Sequence, residues 1–183
     1  ACFEVRIDLP EEERLNYAIA SQEVRYRISA TSGSKIPVIK ALLAKHPGEP
    51  TLIIGQYLDQ IHAVSAALNV SEITGETPID ERERLFEAFR TGEITCLVVS
   101  KVANFSIDLP EASVAIQISG SYGSRQEEAQ RLGRLLRPKA DGRSANFYTL
   151  IARDTIDQDF AQNRQRFLAE QGYSYEIIDA DAL

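Results

Sequence analysis

The chain has 183 residues, with 20 Lys+Arg against 27 Asp+Glu and a formal charge of −7 at pH 7. That length accommodates one ordinary α/β domain and not two, and 44% apolar with 26% charged residues is a globular composition that excludes a disordered tail or a coiled coil. The densest apolar run, Cys96-Leu97-Val98-Val99, is strand-sized and far short of the roughly 20 residues that span a bilayer, and the acidic balance argues against a generic nucleic-acid coat.

Taken in order, Phe3, Val5, Ile7 and Leu9 alternate with the period of a half-buried strand. Pro10 and the acids Glu11 to Glu13 then open a helix expected to run to about Ser29, with negative charge at its positive end. Thr31-Ser32-Gly33-Ser34 is the most linker-like stretch, and the compact domain is expected to start there. A helix from about Lys35 to His46 follows, with Pro37 tolerated in its first turn. Strand 51–54 leads to a helix whose apolar face carries Leu58, Ile61, Val64 and Leu68. Short strand 70–73 leads to the helix of Leu85, Phe86 and Phe89, closed by Gly92. Strand 95–99, an irregular polar stretch 100–113 and strand 114–118 come next. Helix 125–136, strand 145–151 and a helix from about Thr155 to Gln171, stopped by Gly172, complete the pattern. Near-continuous apolar strands separated by helices imply a parallel sheet covered on both faces, with right-handed crossovers. Ligands of such sheets gather at the C-terminal strand ends, so the loops after 51–54, 95–99 and 114–118 are the informative ones.

Residue 1 is alanine and no methionine occurs anywhere, so we expect a piece of a longer chain. Cys2 and Cys96 make no disulfide framework, and Cys96, opening a strand, is expected to be a small buried apolar residue. His46 and His62 have no cysteine or carboxylate cluster at ligand spacing, which argues against a metal held by side chains alone. The net charge conceals a local reversal: six bases and three acids lie between Arg125 and Arg143, whereas three acids and no base lie from Glu176 to the end. A bound ligand feels the local value, because screening cuts in beyond about 8–10 Å.

The sharpest signal is the run from Gln126 to Pro138. Ser124 and Glu127 form a capping box, so a helix begins here. At 100° per residue Gln130, Arg134 and Arg137 share a stripe about 60° wide, with Ala129, Leu132 and Leu136 opposite. Planar guanidinium forks in a row suit phosphate oxygens. The plainer reading is a solvated basic face. Gly133 weakens it, since glycine inside a helix costs about 1 kcal/mol relative to alanine and points to close backbone packing. The second signal is Ser100 to Pro110, a polar loop after an apolar strand, where Ser100 can donate to a phosphate and Asp108 can accept from a ribose hydroxyl or, equally, form a turn before Leu109-Pro110. No Gly-x-x-x-x-Gly-Lys-Ser/Thr occurs, and no acidic pair follows a strand to hold magnesium; Asp80-Glu81 reads as first-turn helix acids. Phosphate-facing arginines without a phosphate cradle describe half a site.

Gln130-Arg131-Leu132-Gly133-Arg134-Leu135-Leu136-Arg137 resembles motif VI of superfamily 2 helicases, usually Gln-x-x-Gly-Arg-x-x-Arg. Ser100 to Pro110 resembles motif V, Thr51 to Tyr57 stands where motif IV belongs, and Gly75, Arg82 and Phe89 keep the spacing between them. Ser100-Lys101-Val102, Ser106 to Ala112, Gln117-Ile118-Ser119, Glu128 to Arg134, Arg166-Phe167-Leu168 and Gln171 to Tyr175 are similar specifically to the XPB family, across about residues 20–178.

The resemblance implies a parallel-sheet, three-layer RecA-like α/β domain, the P-loop NTPase-like fold without its own P-loop. It would be the second motor domain of an ATP-dependent 3′→5′ DNA helicase or translocase used in DNA repair. It implies that Arg134 and Arg137 reach the ATP phosphates across an interdomain cleft, that Gln130 senses the γ-phosphate, and that Asp108 lies near the nucleotide sugar. Ser100, with Lys101, Gln56 and Arg82, would face DNA. ATP and Mg²⁺ would be bound mainly by a first RecA-like domain of the same parent, leaving this fragment alone inactive. DNA and that first domain are the implied partners, with room for a repair nuclease or repair-complex partner and none for a membrane. The location would be cytoplasmic and nucleoid-associated in a prokaryote, nuclear in a eukaryote. Residues 1–30, a strand and helix leading in from the first domain or a thumb-like insertion, match less well than 31–183, which carry motifs IV, V and VI. Asn104-Phe105-Ser106 departs from the Ala-Arg-Gly of many superfamily 2 members, so that arginine's contact is not carried over. The competing readings are a non-catalytic RecA-like module that binds DNA or protein, and a stand-alone small-molecule-binding α/β domain.

Overall fold

The computed structural model describes residues 1–100, 112–119, 145–170 and 172–183. Seven strands form one sheet in which every pairing is parallel: β1 (Cys2–Ile7), β2 (Thr51–Gly55), β3 (Glu72–Ile73), β4 (Cys96–Ser100), β5 (Val114–Gln117), β6 (Asn146–Ala152) and β7 (Tyr175–Asp179). Their order across the sheet is β3-β4-β2-β5-β6-β1-β7. The helices are α1 (Glu11–Ile19), α2 (Gln22–Ala30), α3 (Lys35–Lys45), α4 (Leu58–Leu68), α5 (Ile79–Thr91) and α6 (Ile156–Glu170).

Because strand side chains alternate between faces, each central strand feeds two cores. Leu52, Ile54, Leu97, Val99 and Phe147 meet Leu85, Phe86 and Phe89 of α5 and Leu168 of α6 on one face. Ile53, Val98, Ile116, Tyr148 and Leu150 meet Ile39 and Leu42 of α3 and Ile61 and Val64 of α4 on the other. This is why the strands read as unbroken apolar runs: both faces are covered. Gly92, at φ 80°, ends α5 in the left-handed region that glycine adopts without a Cβ penalty.

Several features differ from expectation. The single helix to Ser29 is two, because Ala20 and Ser21 are extended, and Arg25 caps the freed end of α1 by donating from Nε to the Tyr17 carbonyl (2.9 Å) and from Nη2 to that of Ala18 (2.8 Å). The linker-like stretch is fixed, since Ser32 is buried and its hydroxyl donates to Glu13 (2.5 Å). The acidic tail contains strand β7, whose Tyr175 hydroxyl donates to the buried carboxylate of Glu4 on β1 (2.7 Å), which also accepts from Arg6 Nε (2.7 Å). Strand β3 is shorter than expected, starting at Glu72. Helix 125–136 lies outside the described residues.

Cys2 is buried, as an apolar residue would be, whereas Cys96 is only partly so. Burial pushes the Cys96 thiol up to about 11 and raises that of Cys2 against the opposing pull of the N-terminal ammonium. At pH 7 only about 10⁻⁴ of Cys96 is thiolate, so native protein should resist iodoacetamide that labels both cysteines quickly in denaturant. Fast native labelling, read by mass spectrometry, would refute this.

At Gly55 a Cβ would lie 3.1 Å from Ile61 Cγ1 and 3.3 Å from two Ile118 carbons, and both isoleucines are fully buried. Gly55→Ala should therefore destabilise the fold by about 1–3 kcal/mol through overpacking. Urea unfolding checks this; an unchanged midpoint would mean that the isoleucines have room to move.

Candidate functional site

All strands point the same way, so their C-terminal ends share one edge. Along it stand Thr74 after β3, Ser100 ending β4, Gly55 and Gln56 ending β2, and Ile118 and Ser119 after β5. Ser100 lies in register with Gly55, and Val99 with Ile73, so adjacent termini are one strand spacing, about 4.8 Å, apart.

Three expected site residues fall on or beside this edge. Ser100 is buried at the tip of β4. Gln56 is exposed, while its backbone N–H donates to the buried Ser119 hydroxyl (2.7 Å), locking β2 and β5 together where they end. Arg82, from the first turns of α5, donates from Nη2 to the Thr74 carbonyl (3.2 Å) and braces a turn in which the Thr74 N–H donates to Thr77 Oγ1 (2.9 Å). Its Nε is buried with no partner among the described residues. Lys101, Asp108, Gln130, Arg134 and Arg137 lie outside the described residues.

Beside Gln56 opens a cavity of about 470 Å³ walled by Gln22, Glu23, Tyr26 and Tyr57. The two tyrosine rings are tilted at 51° with centroids 6.4 Å apart, and the Arg27 guanidinium lies 5.3 Å from the Tyr57 centroid. Burial raises the Tyr57 hydroxyl against the pull of Arg27. Arg27 also donates to Asp59 (2.8 Å), holding that carboxyl below its usual range; both groups are exposed, so the pair contributes little.

Sequence reasoning missed a buried polar junction behind this edge. Lys35 is 1% exposed, and its Nζ donates to the carbonyls of Ala30 (2.9 Å) and Ile118 (2.8 Å) and to Asp157 Oδ2 (3.2 Å). Asp157 Oδ2 also accepts the Ala152 N–H (3.0 Å), and the Ala30 carbonyl also accepts Gln60 Nε2 (2.9 Å). In the sequence Lys35 stands at the start of one expected helix and Asp157 near the start of another; nothing local marks either as buried.

Among the described residues no group of three or more His, Cys, Asp or Glu is placed to hold a metal ion, and no helix is long and apolar enough to cross a membrane. Among the described residues the edge thus carries the hydroxyls of Thr74, Ser100 and Ser119, the amide of Gln56 and the guanidinium of Arg82.

The fold is that of a RecA-like helicase C-terminal domain. The C-terminal domain of an S. cerevisiae Dbp5 variant matches with TM-score 0.69 over 99% of this chain and 92% of that one at 17% identity, a likeness of fold alone. A sequence profile of the ERCC3/RAD25/XPB C-terminal helicase family matches residues 1–182, and the chain belongs to that family. A DNA 3′-5′ helicase XPB from Kineococcus radiotolerans is 66% identical over 180 residues, 98% of this chain and 32% of that protein. Its counterpart in Mycobacterium tuberculosis is 62% identical over 182 residues, covering 100% of this chain and 33% of that protein. The chain therefore spans about a third of the length of these relatives.

The Ser119 hydroxyl is the acceptor that joins Gln56 to β5, so Ser119→Ala should cost about 1 kcal/mol, the net worth of a typical hydrogen bond. A melting curve identical to wild type would show that water takes its place.

Proposed function

We propose that this chain is the second motor domain of an ATP-dependent 3′→5′ DNA helicase or translocase acting in DNA repair. The observation that carries the reading is the family match over residues 1–182, with relatives named as DNA 3′-5′ helicases at 62–66% identity. Residues 31–183 would carry the motor motifs. Residues 1–30, although β1 lies within the sheet, would lead in from the first domain or an inserted element.

In this reading ATP is a substrate held with Mg²⁺ mainly by the first RecA-like domain. Closure of the second domain would bring Gln130, Arg134 and Arg137 to its phosphates and Asp108 to its sugar. Arginines supplied across an interface stabilise charge developing on the transferred phosphoryl group, and in GTPases such an arginine is worth about 10³–10⁵ in rate. Ser100, Lys101, Gln56 and Arg82 would touch the DNA backbone. The exposed amide of Gln56, at the C-terminal edge of the sheet, favours that assignment. Such contacts are to phosphates, so binding would be salt-dependent and largely blind to sequence. Closing and reopening would shift these contacts along one strand, turning hydrolysis into stepping. A repair nuclease or other repair-complex partner would be a further partner in this reading.

Arg137→Ala in the full-length parent should abolish DNA-stimulated ATP hydrolysis while leaving folding and DNA binding little changed. Normal hydrolysis by that variant would sink the assignment and favour a non-catalytic interaction module.

A further inference from the structure

The junction of Lys35 and Asp157 joins parts of the chain that are distant in sequence. One ammonium fastens the end of α2 at the Ala30 carbonyl, the exit of β5 at the Ile118 carbonyl and the first turn of α6 at Asp157. The same carboxylate oxygen fastens the exit of β6 through the Ala152 N–H. Each partner is nearly inaccessible, with side chains 1% and 4% exposed.

Stability alone does not account for this choice of residues. Replacing a buried ion pair with apolar side chains of similar volume is often neutral or stabilising, because the charges must first be stripped of water. An ammonium provides what a leucine cannot, three directional donors from one atom. Here they fix backbone carbonyls, and one of these, Ile118, is the step at which β5 becomes the segment leading to Gln130, Arg134 and Arg137. The same residue is held from the other side by its N–H on the Ile54 carbonyl (2.9 Å), and the next residue by Ser119 Oγ on Gln56 (2.7 Å). Two consecutive residues thus leave the sheet with their direction set at three points.

We propose that Lys35, anchored by Asp157, is a positioning residue for ATP hydrolysis: it fixes the exit of β5 so that the segment carrying Gln130, Arg134 and Arg137 meets the nucleotide in register. The inference rests on the motor reading above and names the part of the scaffold that makes the arginines effective. Lys35 itself touches neither nucleotide nor DNA in this assignment.

The test uses the full-length parent and follows DNA-stimulated ATP hydrolysis beside thermal melting. Lys35→Met leaves Asp157 buried and unpaired, so it should melt early. The double variant K35M/D157L removes both charges at once and should melt well above Lys35→Met, although the Ile118 carbonyl and the Ala152 N–H lose these partners. If the pair positions, kcat of the double variant stays about 10²-fold down, the loss a displacement of about 1 Å can impose, with KM for ATP unchanged. If the double variant folds and turns over like wild type, the pair merely holds the fold and the proposal fails. Should the double variant not fold, Lys35→Arg decides: it keeps the charge but cannot place single donors on both carbonyls. A folded Lys35→Arg with lowered kcat supports positioning, and one with wild-type kcat overturns it. Arg137→Ala runs alongside. Normal hydrolysis there would remove the motor reading itself, a result distinct from failure of the junction.

Discussion

A sheet whose strands all run one way cannot be closed by hairpins. Each strand must be reached by a crossover long enough to return the chain to the same starting side. In this protein that constraint accounts for the helices on both faces, for the apolar runs of β2, β4, β5 and β6, and for the gathering of every strand C-terminus on one edge. The two cores are its energetic expression, since the odd and even residues of a single strand belong to different ones. The candidate site is its geometric expression. Ser100, Gln56 and the turn braced by Arg82 are neighbours because β4, β2 and β3 are neighbours, although they lie far apart along the chain.

Side-chain hydrogen bonds hold the strand ends in place. Ser119 holding Gln56, Thr77 holding Thr74, and Lys35 holding Ile118 are all short bonds from side chain to backbone at the point where a strand stops. They replace the ladder bonds that end there and keep buried backbone groups satisfied. At the opposite border of the sheet β7 presents Glu176 and Asp179 to solvent, and Asp179 pairs with Arg153 (2.5 Å). Charge along an exposed edge strand discourages a second chain from adding to it.

Much of this was legible. Continuous apolar runs located β2, β4, β5 and β6 to within a residue or two, and Gly92 and Gly172 marked the ends of α5 and α6. The failures have specific causes. Val70 looks like strand, yet the chain is still turning there: Asn69 is left-handed and the Val70 carbonyl accepts the Ser65 hydroxyl, so β3 begins later. Strand β7 is an edge strand with Ile177 44% exposed, and its acids mask the alternation. The junction of Lys35 and Asp157 was invisible because the burial of a lysine depends on a partner 122 positions away. For the site, helical phase alone placed Gln130, Arg134 and Arg137 on one stripe and stopped at a phosphate-facing half-site. The family resemblance supplied their roles.

The position of β1 carries a kinetic consequence. Cys2 is hydrogen-bonded in register beside Phe147 on one flank and Tyr175 on the other, so the earliest strand of this stretch is flanked by its two latest. Non-local pairing of this kind must meet the entropy of closing long loops before it is rewarded, which slows folding. During synthesis β1 leaves the ribosome well before either neighbour exists, with both rows of its backbone groups paired only with water. While it waits it is a sticky, strand-prone segment of the kind that chaperones shield, and the sheet knits shut only once the chain through Asp179 is free.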